Sequence, residues 1–138
     1  MKRAYETGQI VSPIGRVRRL PDIWDANPKV AAYAERSSIN SPVQGFASDL
    51  MQMASASIEG RLPGVMAVRD ARLVGTVHDS ILAEVPIDNW KEVTLACQQR
   101  MLTIGDALVR LDCTLDVPLA AEAKVGTRWG FSDVAVLA

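Results

Sequence analysis

Three groups of residues in this 138-residue chain have the types and spacing to do chemistry. The first is His78-Asp79, where the chain's only histidine stands beside a carboxylate, between residues 73–77 and 81–85, two runs rich in Val, Ile and Leu. Those runs read as the strands of a hairpin, with His78-Asp79-Ser80 in a tight polar connection. Such a turn holds the Asp79 carboxylate out at the end of a sheet. Leu73, Gly75 and Val77 share one strand face and Val74, Thr76 and His78 the other, and the strand is expected to be largely buried. For His78 two readings stand: a group beside a reacting centre, or an imidazole satisfied within the hairpin. A metal phosphohydrolase of the His-Asp type would need further histidine ligands, and the chain has none.

The second group is Arg36, Asn40 and Gln44. Arg36 and Asn40 are four apart on one helical face, and Gln44 follows shortly, so the three can line one polar groove or else cap and bridge two helices. The third group is Arg16, Arg18 and Arg19. Three guanidinium groups within four residues can contact a phosphate backbone or form a solvated face.

The elements that must position these groups follow from patterning. Residues 2–7 read as the tail of a helix closed by Gly8, and a small hairpin around Pro13-Ile14-Gly15 presents the arginines. Asn27-Pro28 is a helix start, and Ser41-Pro42 repeats the signal, so two helices are expected, the second with a core stripe of Val43, Phe46, Ala47, Leu50, Ala54 and Ile58. Gln44, Ser48 and Gln52 fall on its free side. Residues 60–64 read as a loop, and 65–69 as a helical turn or a connection. Asp88 or Asn89 caps a further helix, with Glu92 three residues after Asn89 as in a capping box, and that helix buries Trp90, Val93, Cys97, Met101 and Ile104. Alternation from Thr114 to Val125 predicts a strand ending at Gly126. The order is α+β around an antiparallel sheet.

Composition bounds the class. With 49% apolar and 22% charged residues the chain suits a globular core of ordinary domain size. No apolar run long enough for a membrane span and no secretory h-region is seen, which makes the cytosol the expected location. Cys97 and Cys113 lack companions for a zinc site or a disulfide framework and read as buried apolar side chains. Residues 1–36 carry seven Lys/Arg against four Asp/Glu, and the remainder eight against twelve. The basic groups are therefore concentrated in the first quarter.

Three ordered blocks carry a family resemblance: Gly15-Arg16-Val17-Arg18-Arg19-Leu20-Pro21-Asp22-Ile23, then Glu35-Arg36-Ser37-Ser38-Ile39-Asn40-Ser41-Pro42-Val43-Gln44-Gly45-Phe46-Ala47-Ser48-Asp49, then Val77-His78-Asp79. With the closing Leu115-Asp116-Val117-Pro118-Leu119 and Trp129, they resemble the C-terminal part of family A DNA polymerases, the bacterial polymerase I type. The resemblance implies an antiparallel palm-type sheet with helices packed on one face, a C-terminal fragment of a right-hand polymerase. Residues 1–26 would be the rear of the fingers with the basic hairpin, and residues 27–138 the C-terminal portion of the palm, together one partial domain.

By the same resemblance Asp79 binds catalytic magnesium together with a second aspartate on a neighbouring strand, and His78 lies near the primer terminus. Two Mg²⁺ ions about 3.5–4 Å apart would activate the primer 3′-OH and stabilise the leaving pyrophosphate, only partly liganded by this chain. Ser80 departs from the commoner His-Asp-Glu pattern. Arg36, Asn40 and Gln44 would lie against the minor groove of primer-template DNA, where purine N3 and pyrimidine O2 let donors test pair geometry without reading sequence. Gly45 would allow close approach there. Neither the upstream aspartate segment nor the fingers helix that grips deoxynucleoside triphosphates is found in these residues. The expectation is template-directed nucleotidyl transfer that needs an upstream polymerase chain, with an open edge on the palm sheet and inactivity in isolation; the alternative is a non-catalytic DNA-binding remnant.

Overall fold

The computed structural model describes residues 2–60, 71–130 and 135–137. The expected loop at 60–64 and the undecided segment 65–69 lie outside the described residues, apart from Gly60. The chain forms two compact units, residues 1–49 with 110–113, and residues 50–109 with 114–138.

In the first unit, helix α1 (Lys2–Thr7) ends as the sequence predicts: Gly8 has φ +65° and donates its N–H to the Ala4 carbonyl at 2.8 Å. A methyl group on Gly8 would sit 2.6 Å from the Trp24 ring, whose Nε1 is fixed by a 3.1 Å bond to the Tyr5 carbonyl. Strands β1 (Gln9–Val11) and β2 (Val17–Arg19) pair antiparallel with Ile10 opposite Arg18. A short 3-10 turn, Pro21–Trp24, leads to helix α2 (Pro28–Gly60). Asn27 caps that helix by accepting the Lys29 N–H on its side chain at 3.0 Å, and Pro28 fills the first helical position. Ala4, Ile10, Leu20, Ile23 and Ala34 make the core of this unit.

The expected restart at Ser41-Pro42 is corrected: α2 is one helix of 33 residues with Pro42 inside it. Proline removes a single donor, the one that would bond the Ser38 carbonyl, and propagation on both sides outweighs that local loss. The expected stripe is corrected with it. Ala54 and Ile58 are buried, but Val43 is 71% exposed and Ala47 is exposed too, while Asp49 is buried in their place.

In the second unit, β3 (Arg72–Val77) and β4 (Ser80–Glu84) form the central hairpin. Ser80 is the first residue of β4 and pairs with Val77, so the connection is two residues, His78 and Asp79. An irregularity between Leu73 and Gly75 leaves Val74 without a cross-strand partner, which breaks the strict alternation. The strand is not largely buried: only Leu73 of β3 is partly covered, because among the described residues β3 and β4 pair with each other alone. Helix α3 (Trp90–Leu102) starts at Asn89, the second of the two expected caps, although no side chain caps it, and Val93 is buried with Trp90, Cys97 and Met101 half-buried. A short α4 (Gly105–Leu108) follows, with Ile104 and Leu108 buried. The strand expected from Thr114 is confined to β5 (Ala123–Val125), paired with β6 (Ala135–Leu137). Pro118 lacks the N–H a ladder needs, and its preceding alternation comes from a loop. The fold is α+β with three two-stranded antiparallel ribbons among the described residues.

Candidate functional site

Asp79 projects from the second position of the two-residue β3–β4 connection, exposed and without an ion-pair partner among the described residues. The tightness of that connection explains its geometry. Two-residue hairpin loops require left-handed backbone, and His78 supplies it with φ +54°, a conformation His tolerates better than β-branched residues do. His78 is itself exposed, so its imidazole is not satisfied by burial within the hairpin. At the opposite end of the ribbon Arg72 Nε and Nη2 reach Glu84 Oε2 at 2.8 and 2.6 Å, a cross-strand pair that closes the register leading to the tip.

The donor chemistry of Asp79 suits a hard divalent cation such as Mg²⁺. Among the described residues no three His, Cys, Asp or Glu side chains gather to hold one, so Asp79 fits as one ligand and not as a complete site.

On α2, Arg36, Asn40 and Gln44 are all exposed at intervals of four, and the unbroken helix extends the row through exposed Ser48 and Gln52. A single helix carries the polar row, which removes the reading in which these residues bridge two helices. Tyr33, Ile39 and Val43 are exposed beside it. Gly45 lies in the same stretch, and a methyl group there would meet nothing within 4 Å. Packing among the described residues gives no reason for a glycine in mid-helix.

The β1–β2 hairpin exposes Arg16, Arg18 and Arg19, but they are not equivalent. Arg16 Nη2 is ion-paired with Asp49, whose side chain is 4% exposed. Arg18 and Arg19 make no ion pair among the described residues. Sequence reasoning gave Asp49 no role. The available signal was an acid flanking the apolar positions Phe46 and Leu50 of a helix.

Two thiols and a phenol complete the electrostatics. Cys97 and Cys113 form no disulfide among the described residues, and burial pushes the Cys97 pKa above its ordinary value. Tyr5 donates its hydroxyl to Glu35 of α2, and that hydrogen bond raises the phenol pKa.

A family-wide profile described as DNA polymerase family A matches residues 1–131, and the chain belongs to that family. Among curated relatives, DNA polymerase I of Pseudomonas aeruginosa is 38% identical over 128 residues, 92% of this chain and 13% of its own length. DNA polymerase I of Lactococcus lactis is 31% identical over 131 residues, 94% of this chain and 14% of its own length. The chain thus spans about one-seventh of the relatives it matches. Among solved structures it resembles the polymerase domain of Pol1 from M. smegmatis in complex with DNA primer-template and dNTP, at a TM-score of 0.62 and 28% identity over 75% of this chain and 18% of that one. No described helix is long and apolar enough to cross a membrane.

Proposed function

We propose that this chain is the C-terminal palm portion of a DNA-directed DNA polymerase, working with upstream polymerase sequence that supplies the fingers helix and the second metal-binding aspartate. The observation that carries the reading is Asp79, held exposed on a two-residue turn in a chain of DNA polymerase family A. Residues 1–26 then belong to the rear of the fingers and 27–138 to the palm. Magnesium, when bound, would supply Lewis acidity at the reacting phosphate and the primer 3′-OH. Asp79 contributes one carboxylate to it, and a single carboxylate does not hold two ions.

The other residues act on DNA. Arg36, Asn40 and Gln44 present donors in one row toward minor-groove acceptors that every Watson-Crick pair carries, so they hold a correctly formed pair without selecting its sequence. Gly45, where a methyl group would meet nothing within 4 Å among the described residues, leaves room for the duplex to approach the same stretch. His78, at the tip beside Asp79, positions the primer end. Deoxynucleoside triphosphates are bound by the upstream sequence and not by this chain.

Primer extension in Mg²⁺ tests the proposal. The chain joined to, or mixed with, a family A upstream segment should extend a primer. Asp79→Asn should remove extension while leaving duplex binding within about threefold of the parent. Extension unchanged by Asp79→Asn would end this reading, and duplex binding with no incorporation in any assembly would assign a purely DNA-binding role instead.

A further inference from the structure

The Arg16–Asp49 pair gives the basic hairpin a second attachment to α2. Ile10 and Leu20 of the hairpin segment share a core with Ala34 of α2. Asp49 lies fifteen residues further along the same helix, about 22 Å at 1.5 Å per residue. The attachments therefore bracket the stretch that carries Arg36, Asn40 and Gln44. Arg16 is anchored at its own backbone as well. Its N–H bonds Ser12 Oγ at 3.1 Å, and its carbonyl accepts the Ser12 N–H at 2.8 Å, which fixes the loop root from which the guanidinium reaches Asp49.

The energetics make Asp49 depend on Arg16. Asp49 is 4% exposed, one carboxylate oxygen is on Arg16, and the other is buried with no hydrogen-bond partner among the described residues. A buried carboxylate is costly unless paired, and removing one partner of such a pair leaves an uncompensated charge. Nothing in a purely DNA-contacting role for Arg16 requires a buried acid in the middle of a helix.

We infer that Arg16 is a positioning residue: clamped by Asp49, it straps the β1–β2 hairpin along α2, and Arg18 and Arg19 are the hairpin's phosphate-contacting groups. The phosphate part rests on the polymerase reading above, whereas the strap does not.

The test uses the full chain and the variants Asp49→Asn, Arg16→Gln, their combination, Arg18→Gln and Arg19→Gln. Amide exchange reads the strap directly. Either single break should speed exchange of the β1–β2 amides about 5- to 30-fold without changing β3–β4, and the combined variant should not exceed the singles. Unchanged hairpin exchange in Asp49→Asn overturns the strap. Should Arg16→Gln fail to fold while the combination folds, the strap is supported, because only that single leaves the buried Asp49 carboxylate uncompensated. If the combination fails too, Arg16→Lys decides by the same exchange readout.

Affinity for a primer-template duplex across a range of salt concentrations reads the second part. Arg18→Gln and Arg19→Gln should each lower the slope of log affinity against log salt by about 1. Asp49→Asn removes a negative charge, which by charge alone would favour DNA; a strap predicts weaker binding and the same slope loss as Arg16→Gln. A slope loss of about 1 in Arg16→Gln with none in Asp49→Asn makes Arg16 a phosphate contact and overturns the inference. A parent chain that binds no duplex defeats the polymerase reading, and the exchange result still decides the strap.

Discussion

Gly45 puts the proposed DNA-facing surface to a test at a single residue. A mid-helix glycine costs roughly 0.5–1 kcal/mol relative to alanine, and a methyl group at position 45 would touch nothing within 4 Å. Gly45→Ala should therefore raise the stability of the chain by about that amount in urea unfolding and at the same time weaken duplex binding. A variant that is more stable and binds equally well would remove Gly45 from the DNA-facing surface. Cys97 gives a residue-scale prediction about pH. Its folded pKa is raised by burial, so the neutral thiol is favoured in the native state. That contribution is fully present below the unfolded thiol pKa and is lost as pH rises through the folded one. Cys97→Ala should flatten the alkaline fall of Tm, and an identical fall in parent and variant would contradict it.

Among elements, α2 decides most of what was legible and what was not. Asn27-Pro28, Gly8 and the His78-Asp79 turn were readable because each is a contact within a few residues, and short-range rules of capping and turn geometry govern them. Ser41-Pro42 carries the same local signal as Asn27-Pro28, yet here the helix continues, since the tertiary setting keeps both flanks helical at the cost of one hydrogen bond. Pro42→Ala should accordingly stabilise the chain, by about 1–3 kcal/mol in urea unfolding. A loss of stability would mean that the proline sets a bend the fold requires. The partner of Asp49 is thirty-three residues away, beyond any periodicity, so the ion pair was invisible even though Arg16 and Asp49 both stood in quoted motifs. At α1 the constraint is rigid. Gly8→Ala combines a positive φ with a 2.6 Å approach to Trp24 and should lower stability by about 1 kcal/mol or more, with Trp24 fluorescence reporting the displaced ring.

At the scale of the molecule, the turn proposed as catalytic stands on a thinly supported element. A two-stranded hairpin is marginal by itself in water. In β3–β4 only Leu73, Ile81 and Leu82 are partly covered, while Val74 and Val77 are 58% and 39% exposed. On the proposed reading, Asp79 reaches the tolerance that metal chemistry needs when further sequence pairs with an edge of this ribbon that is open among the described residues. Amide exchange should thus find β3–β4 opening far more readily than the buried turns of α2 around Ala54 and Ile58. Addition of a family A segment carrying the neighbouring palm strand should slow β3–β4 exchange at least about tenfold, and protection should appear together with primer extension. If β3–β4 in the chain alone is already as protected as α2, the ribbon needs no partner strand, and the place for the second aspartate must be sought elsewhere than along its edge.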